Sequence, residues 1–107
     1  MIKEGGIYRN DDDQFSRFAI VVKVSKYMIF GVRLAVTQDI ISNKQVNDLL
    51  LRKLDLYSGN SFWKMKEDEF EENVNGYIGQ IREDMLDTLQ EKLKILDKYF
   101  KYFNFKK

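Results

Sequence analysis

Ser16-Arg17-Phe18-Ala19-Ile20-Val21-Val22 is followed at hairpin distance by Val32-Arg33-Leu34-Ala35-Val36-Thr37-Gln38, and these two stretches decide how the chain is read. Both are β-branched and strongly apolar, as strands inside a sheet are, and each carries a polar group at one end. An arginine at the start of one strand and a threonine at the end of its neighbour can converge on a phosphate. A third segment, Gly76-Tyr77-Ile78-Gly79-Gln80-Ile81, completes the frame.

Working outward, the pattern predicts a central strand over 18–25 and a second over 27–36, joined as a hairpin around Ser25 and Lys26. The Asn-Gly or Asp-Gly signal of tight hairpins is missing, so no turn type is assigned. Ile7-Tyr8-Arg9 after Gly5-Gly6 reads as a first short strand, and Asn10-Asp11-Asp12-Asp13-Gln14 as a loop, because Asn and Asp bond their own backbone in turns. From Ser42 the apolar spacing of Val46, Leu49, Leu50 and Leu54 predicts a short helix around 44–54, with a strand as the alternative. Tyr57-Ser58-Gly59-Asn60 reads as a turn, residues 61–66 as a strand, and the acidic run to Glu72 as a loop or one helical turn.

The last third is the clearest element. Ile81, Met85, Leu89, Leu93, Leu96, Phe100 and Phe103 step by fours and threes, which predicts an amphipathic helix from about 82 to 103. Burying each such side chain is worth about 1.5–3 kcal/mol, so the stripe must cover either the sheet or a second subunit. Glu83, Asp84 and Asp87 near its start and Lys98 and Lys101 near its end complement the helix dipole.

A chain of 107 residues makes one domain, here divided into a β portion over 1–80 and a C-terminal helical portion over 81–105. With 44% hydrophobic against 33% charged residues, the composition is that of a folded globule. Net charge is +1, so nucleic-acid binding is not announced by a global field and any such site is a local patch. There is no cysteine and no histidine. Disulfides, thiolate metal sites, zinc hydrolases, Ser-His-Asp triads and paired-histidine ribonucleases are thereby excluded, and no cofactor is expected. No apolar run approaches the roughly 18–20 residues that span a bilayer. The expectation is a cytoplasmic protein with no membrane partner.

These residues resemble a family, the MazF/PemK-like toxins. Gly5-Gly6-Ile7-Tyr8 is similar to its first strand, and Arg17-Phe18-Ala19-Ile20-Val21-Val22 to its Arg-Pro-apolar strand, with Phe18 in the place of the proline. Leu34-Ala35-Val36-Thr37-Gln38 is similar to its strand ending in Thr or Ser, and Gly76-Tyr77-Ile78-Gly79-Gln80-Ile81 with Arg82-Glu83-Asp84 to its Ile-Gly segment before an acidic helix. The resemblance implies a mainly β fold with a C-terminal helix, a small SH3-like antiparallel β-barrel; the alternative is another α+β hairpin-plus-helix domain. It implies a metal-free endoribonuclease that cleaves single-stranded RNA, pairs as a homodimer and is neutralised by a cognate antitoxin peptide. Carried over by position, Arg17 and Thr37 are the catalytic pair. Arg9, Gln14, Ser16 and Gln38, which flank them in sequence, are the candidate RNA contacts.

Each feature also has a plainer reading. Arg17 at a strand edge can be a solvated charge, and Thr37 an ordinary β-former. Gly76 and Gly79 can simply permit turns where the helix begins. The carboxylates at 11–13 and 67–72 can hold Mg²⁺ or supply paired acid and base groups, but their spacing fits no EF-hand loop and the plainer reading is a solvated acidic surface. The tail of Tyr99, Phe100, Tyr102, Phe103 and Phe105 among lysines can stack on bases or pack on the core or a partner. The competing functional class is a non-catalytic interaction or regulatory module on the same fold, such as a mobile-element adaptor.

Overall fold

The computed structural model describes residues 2–10, 16–36, 42–58 and 61–100, the last four by backbone alone. Thr37, Gln14 and Gln38, the carboxylates at 11–13 and the aromatic tail beyond the helix lie outside the described residues.

Strand β1 (Gly6–Arg9), β2 (Ser16–Val24) and β3 (Ile29–Val36) come first, then helix α1 (Asn43–Lys53) with a 3₁₀ turn (Leu54–Leu56). They are followed by β4 (Phe62–Met65), α2 (Glu67–Asn73), β5 (Gly76–Gln80) and α3 (Glu83–Phe100). The strands form one open sheet of order β4-β3-β2-β1-β5, and every neighbouring pair is antiparallel. The domain is therefore α+β, with helices taking as large a part as strands, where the resemblance implied a mainly β barrel with a C-terminal helix and an α+β domain was the alternative.

Local chemistry explains the difference. At α1, Gln45 N donates to Ser42 Oγ and Ser42 N to Gln45 Oε1, both at 3.2 Å, a capping box that resolves the helix-or-strand alternative. At α2 the acidic run makes a seven-residue helix, longer than one turn: Glu67, Asp68 and Glu69 sit at the positive end of its dipole, and Phe70 anchors it in the core. The hairpin between β2 and β3 closes through Ser25, whose N and Oγ both donate to Met28 O at 2.9 Å, while Met28 N returns to Ser25 Oγ at 3.1 Å. A serine turn does the work that Asn-Gly does elsewhere.

Strand β2 is covered on both sides. Phe18, Ile20 and Val22 face one core with Ile7, Phe30, Val32 and Leu34, closed by Val46 and Leu50 of α1 and by Met85, Leu89 and Leu93 of α3. Met85, Leu89 and Leu93 of the α3 stripe are thus spent on its own sheet. Ala19 and Val21 face the opposite side with Tyr8 and Ile29, where α2 inserts Phe70. Phe70 lies edge-on to Tyr8 at 5.1 Å and stacked on Trp63 at 5.6 Å.

Two glycines permit close approach. Trp63 pairs directly with Gly31, and a Cβ at Gly31 would run into the Trp63 indole and the Ile20 carbonyl oxygen. Gly79 belongs to β5 and makes no turn into the helix; with φ of 147° it lies against Asn43, whose side chain a Cβ would displace. Beside it, Asn47 receives Arg82 N at 2.8 Å and donates to Gln80 O at 3.2 Å, tying α1 to the start of α3.

Three substitutions test this packing by urea denaturation. Phe70→Ala should cost about 3–5 kcal/mol, since it removes the fully buried side chain by which α2 packs on its side of the sheet, whereas Leu56→Ala, at a side chain 76% exposed, should stay within about 0.5 kcal/mol of the parent. Gly31→Ala should cost about 1–3 kcal/mol, because the Ile20 carbonyl belongs to the neighbouring strand and cannot retract.

Candidate functional site

Side chains alternate across a strand, so register decides which of the expected residues meet. Arg17 pairs with Ala35 and shares a face with Ala19 and Val21, the α2 side. Arg9 pairs with Phe18, and its guanidinium lies over the Phe18 ring at 5.3 Å, on the other side of the sheet. Ser16, paired with Val36, shares that other side. The sheet therefore brings Arg9 and Ser16 to one face and Arg17 to the opposite one; adjacency in sequence had grouped all three. Phe18, in the position of the family's proline, is completely buried.

The face that carries Arg17 is only partly covered. Helix α2 occupies the end near Phe70, Trp63 and Ile29, while Arg33 and Ala35 at the other end are exposed. Arg17 is half-buried, with its Nε shielded from water and its backbone carbonyl accepting from Asn10 N at 2.8 Å. Arg33 pairs with Ala19, which sets it diagonally from Arg17 on the same face, a separation of roughly 7–8 Å between such positions. Arg17 and Arg33 thus share one face beside the exposed Ala35, while Ala19 between them is buried with Tyr8, Val21 and Phe70. Val36, the residue before Thr37, pairs with Ser16, so the end of β3 lies beside the start of β2.

Next to Arg33 the sheet edge opens into a cleft of about 310 Å³ lined by Arg33, Tyr57, Ser61, Phe62 and Trp63. It exists because β4 begins pairing only at Phe62 opposite Val32, leaving β3 to run on past it. Tyr57 crosses the gap and donates its hydroxyl to Arg33 O at 3.1 Å. Lys92 of α3 in turn donates to Leu54 O at 2.7 Å and Tyr57 O at 3.1 Å, fixing the 3₁₀ turn that delivers the ring. Burial pushes the Tyr57 phenol up from its ordinary 10.0 to about 12.

Arg33 and Trp63 were not among the expected site residues. Their signal was the alternation of Val32-Arg33-Leu34-Ala35-Val36, which puts Arg33 and Ala35 on one face, but which face stays open depends on where α2 docks.

Other charged groups serve the framework. Arg82 grips Asp84 through two bonds of 3.1 and 2.6 Å, which holds the Asp84 carboxyl below the usual carboxylate range and raises Arg82. Glu4 accepts from Val24 N at 2.9 Å and from Gln90 at 3.0 Å, clamping α3 to β2. Among the described residues no three Asp or Glu side chains are grouped to hold a metal ion, and no helix is long and apolar enough to cross a membrane.

No protein-family model, curated protein or solved structure matches the chain. Function is therefore argued from this arrangement and from the sequence resemblance.

Tyr57 makes the cleft sensitive to pH. Its folded pKa lies above the unfolded value, so the protonated phenol favours the folded state, fully below about pH 10 and progressively less as pH rises toward 12. Tyr57→Phe loses the bond to Arg33 O and should be about 0.5–1.5 kcal/mol less stable at pH 8. Melting curves at rising pH should show that deficit shrinking between pH 10 and 12; a constant deficit would refute the assignment to the phenol.

Proposed function

We propose that this chain is a metal-independent endoribonuclease acting on single-stranded RNA, the toxin of a toxin-antitoxin pair, on an SH3-like barrel of the MazF/PemK kind. The observation that carries the reading is that half-buried Arg17 and exposed Arg33 stand diagonally on one face, with exposed Ala35 beside them at the end of β3 that leads into Thr37. The strand order supports it as well, since β5 returns to pair with β1 at the far side of a meander, the order of a five-stranded SH3-like barrel.

The chemistry asks little of the protein. The 2′-hydroxyl of the RNA attacks the adjacent phosphorus, a new P–O2′ bond forms, the P–O5′ bond breaks, and a 2′,3′-cyclic phosphate and a 5′-hydroxyl result. The 2′ proton leaves to water and the departing O5′ takes one from water, so no metal or histidine is required. Charge on the phosphorane is what must be stabilised, and preorganised donors in a partly dry site do this best. Arg17, forked, permanently protonated and half-buried, donates to the non-bridging oxygens and is no base. Thr37 adds one hydroxyl. On this reading the RNA lies on the Arg17 face, with Arg33 replacing Arg9 and Ser16 as a groove contact. Homodimerisation, the antitoxin peptide and a cytoplasmic setting belong to the same proposal and rest on the resemblance.

The test is a long single-stranded RNA incubated with the protein in EDTA, beside Arg17→Ala and Thr37→Ala variants whose folding is verified by circular dichroism. Discrete cuts ending in cyclic phosphate should appear, and Arg17→Ala should lower the rate by about 10²-fold or more. A folded parent protein that leaves RNA intact would transfer the weight to the non-catalytic interaction module.

A further inference from the structure

We infer that the cleft between the end of β3 and the start of β4 is a nucleobase subsite for single-stranded RNA, with Trp63 as its stacking surface and Arg33 holding the backbone alongside. This deepens the ribonuclease reading and rests on it. The 310 Å³ volume is at the low end for small-ligand clefts, which start at roughly 300 Å³, and suits a single nucleotide.

Its walls are set before any ligand arrives. Tyr57 is held at both ends, by its hydroxyl on Arg33 O and by Lys92 on its carbonyl. Trp63 is seated against Phe70 and over Gly31, yet stays partly exposed toward the cleft it lines. Ser61 adds a hydroxyl positioned by accepting from Ser58 N at 3.1 Å. A fixed indole beside an exposed guanidinium is the combination that binds single-stranded nucleic acid, because every base has a face to stack and every phosphate a charge to pair. Arg17 and Arg33 stand diagonally on one face, so a strand whose phosphate sits at Arg17 passes its neighbouring nucleotide toward the cleft. A second cleft among the described residues, about 270 Å³ between Glu4, Lys23, Gln90, Leu93 and Lys94, has no aromatic wall, and its Glu4 and Gln90 are bonded to each other.

Trp63 is the one tryptophan of the chain, so its fluorescence reports on this cleft directly. The probes are homopolymeric hexanucleotides of each base with 2′-O-methyl sugars, which lack the attacking hydroxyl and so separate binding from cleavage. Saturable quenching by at least one of them, with half-saturation about fivefold or more weaker in Arg33→Ala, is the expected result. Equal quenching by heparin would reduce the cleft to a general anion attractor and overturn the proposal. RNA cleavage by a protein whose Trp63 emission no oligonucleotide alters would also overturn it, leaving the nuclease intact. Arg33-dependent quenching by a protein that cuts no RNA would support the subsite and overturn the nuclease.

Discussion

Strand β2 is buried on both faces, and most of the architecture follows from having to cover it. Phe18, Ile20 and Val22 on one side and Val21 on the other are fully excluded from water. A strand apolar on both faces is stable only between two layers, so the sheet needs helices above and below. The larger side takes α1 and α3, and the smaller takes the two turns of α2. Because α2 is short, it covers only part of its face, and the remainder is where the two arginines stand.

The site thus depends on a deficit of packing. Ala35 contributes little apolar area, so leaving it exposed costs about 25 cal/mol per Å² over a small surface. Arg33 at that end is exposed, whereas Arg17 is half-buried with its Nε shielded from water. The same economy operates at the edge, where β4 stops at Phe62 and Tyr57 satisfies the Arg33 carbonyl that would otherwise seek a strand. An edge capped by a tyrosine resists pairing with another chain and leaves a cleft for something smaller.

Much of this was legible before folding was considered. β-branched, strongly apolar runs placed β2 and β3 and the spacing from Ile81 to Leu93 placed α3, whereas the helix at 44–54 kept a strand as its alternative, which its capping box resolves. The acidic run 67–72 was harder, because its helix depends on Phe70 finding a pocket between Tyr8 and Trp63, a contact between distant parts of the chain. Gly79 was misread for a related reason: its need for a hydrogen in place of Cβ comes from Asn43, thirty-six positions away.

Sequence alone determined the chemistry on offer. With neither histidine nor cysteine, the chain must act through charged groups, hydroxyls, amides and aromatic surfaces, and that holds for any fold it adopts. It also determined that 16–22 and 32–36 are strands, since periodicity is a local property. Only the tertiary structure decided which polar groups share a face. Register put Arg17 with Arg33 and separated it from Arg9 and Ser16, and the short α2 left that face open. The reason is geometric: neighbours along a strand point apart, so side chains that act together are chosen by pairing between strands, which composition and spacing do not encode.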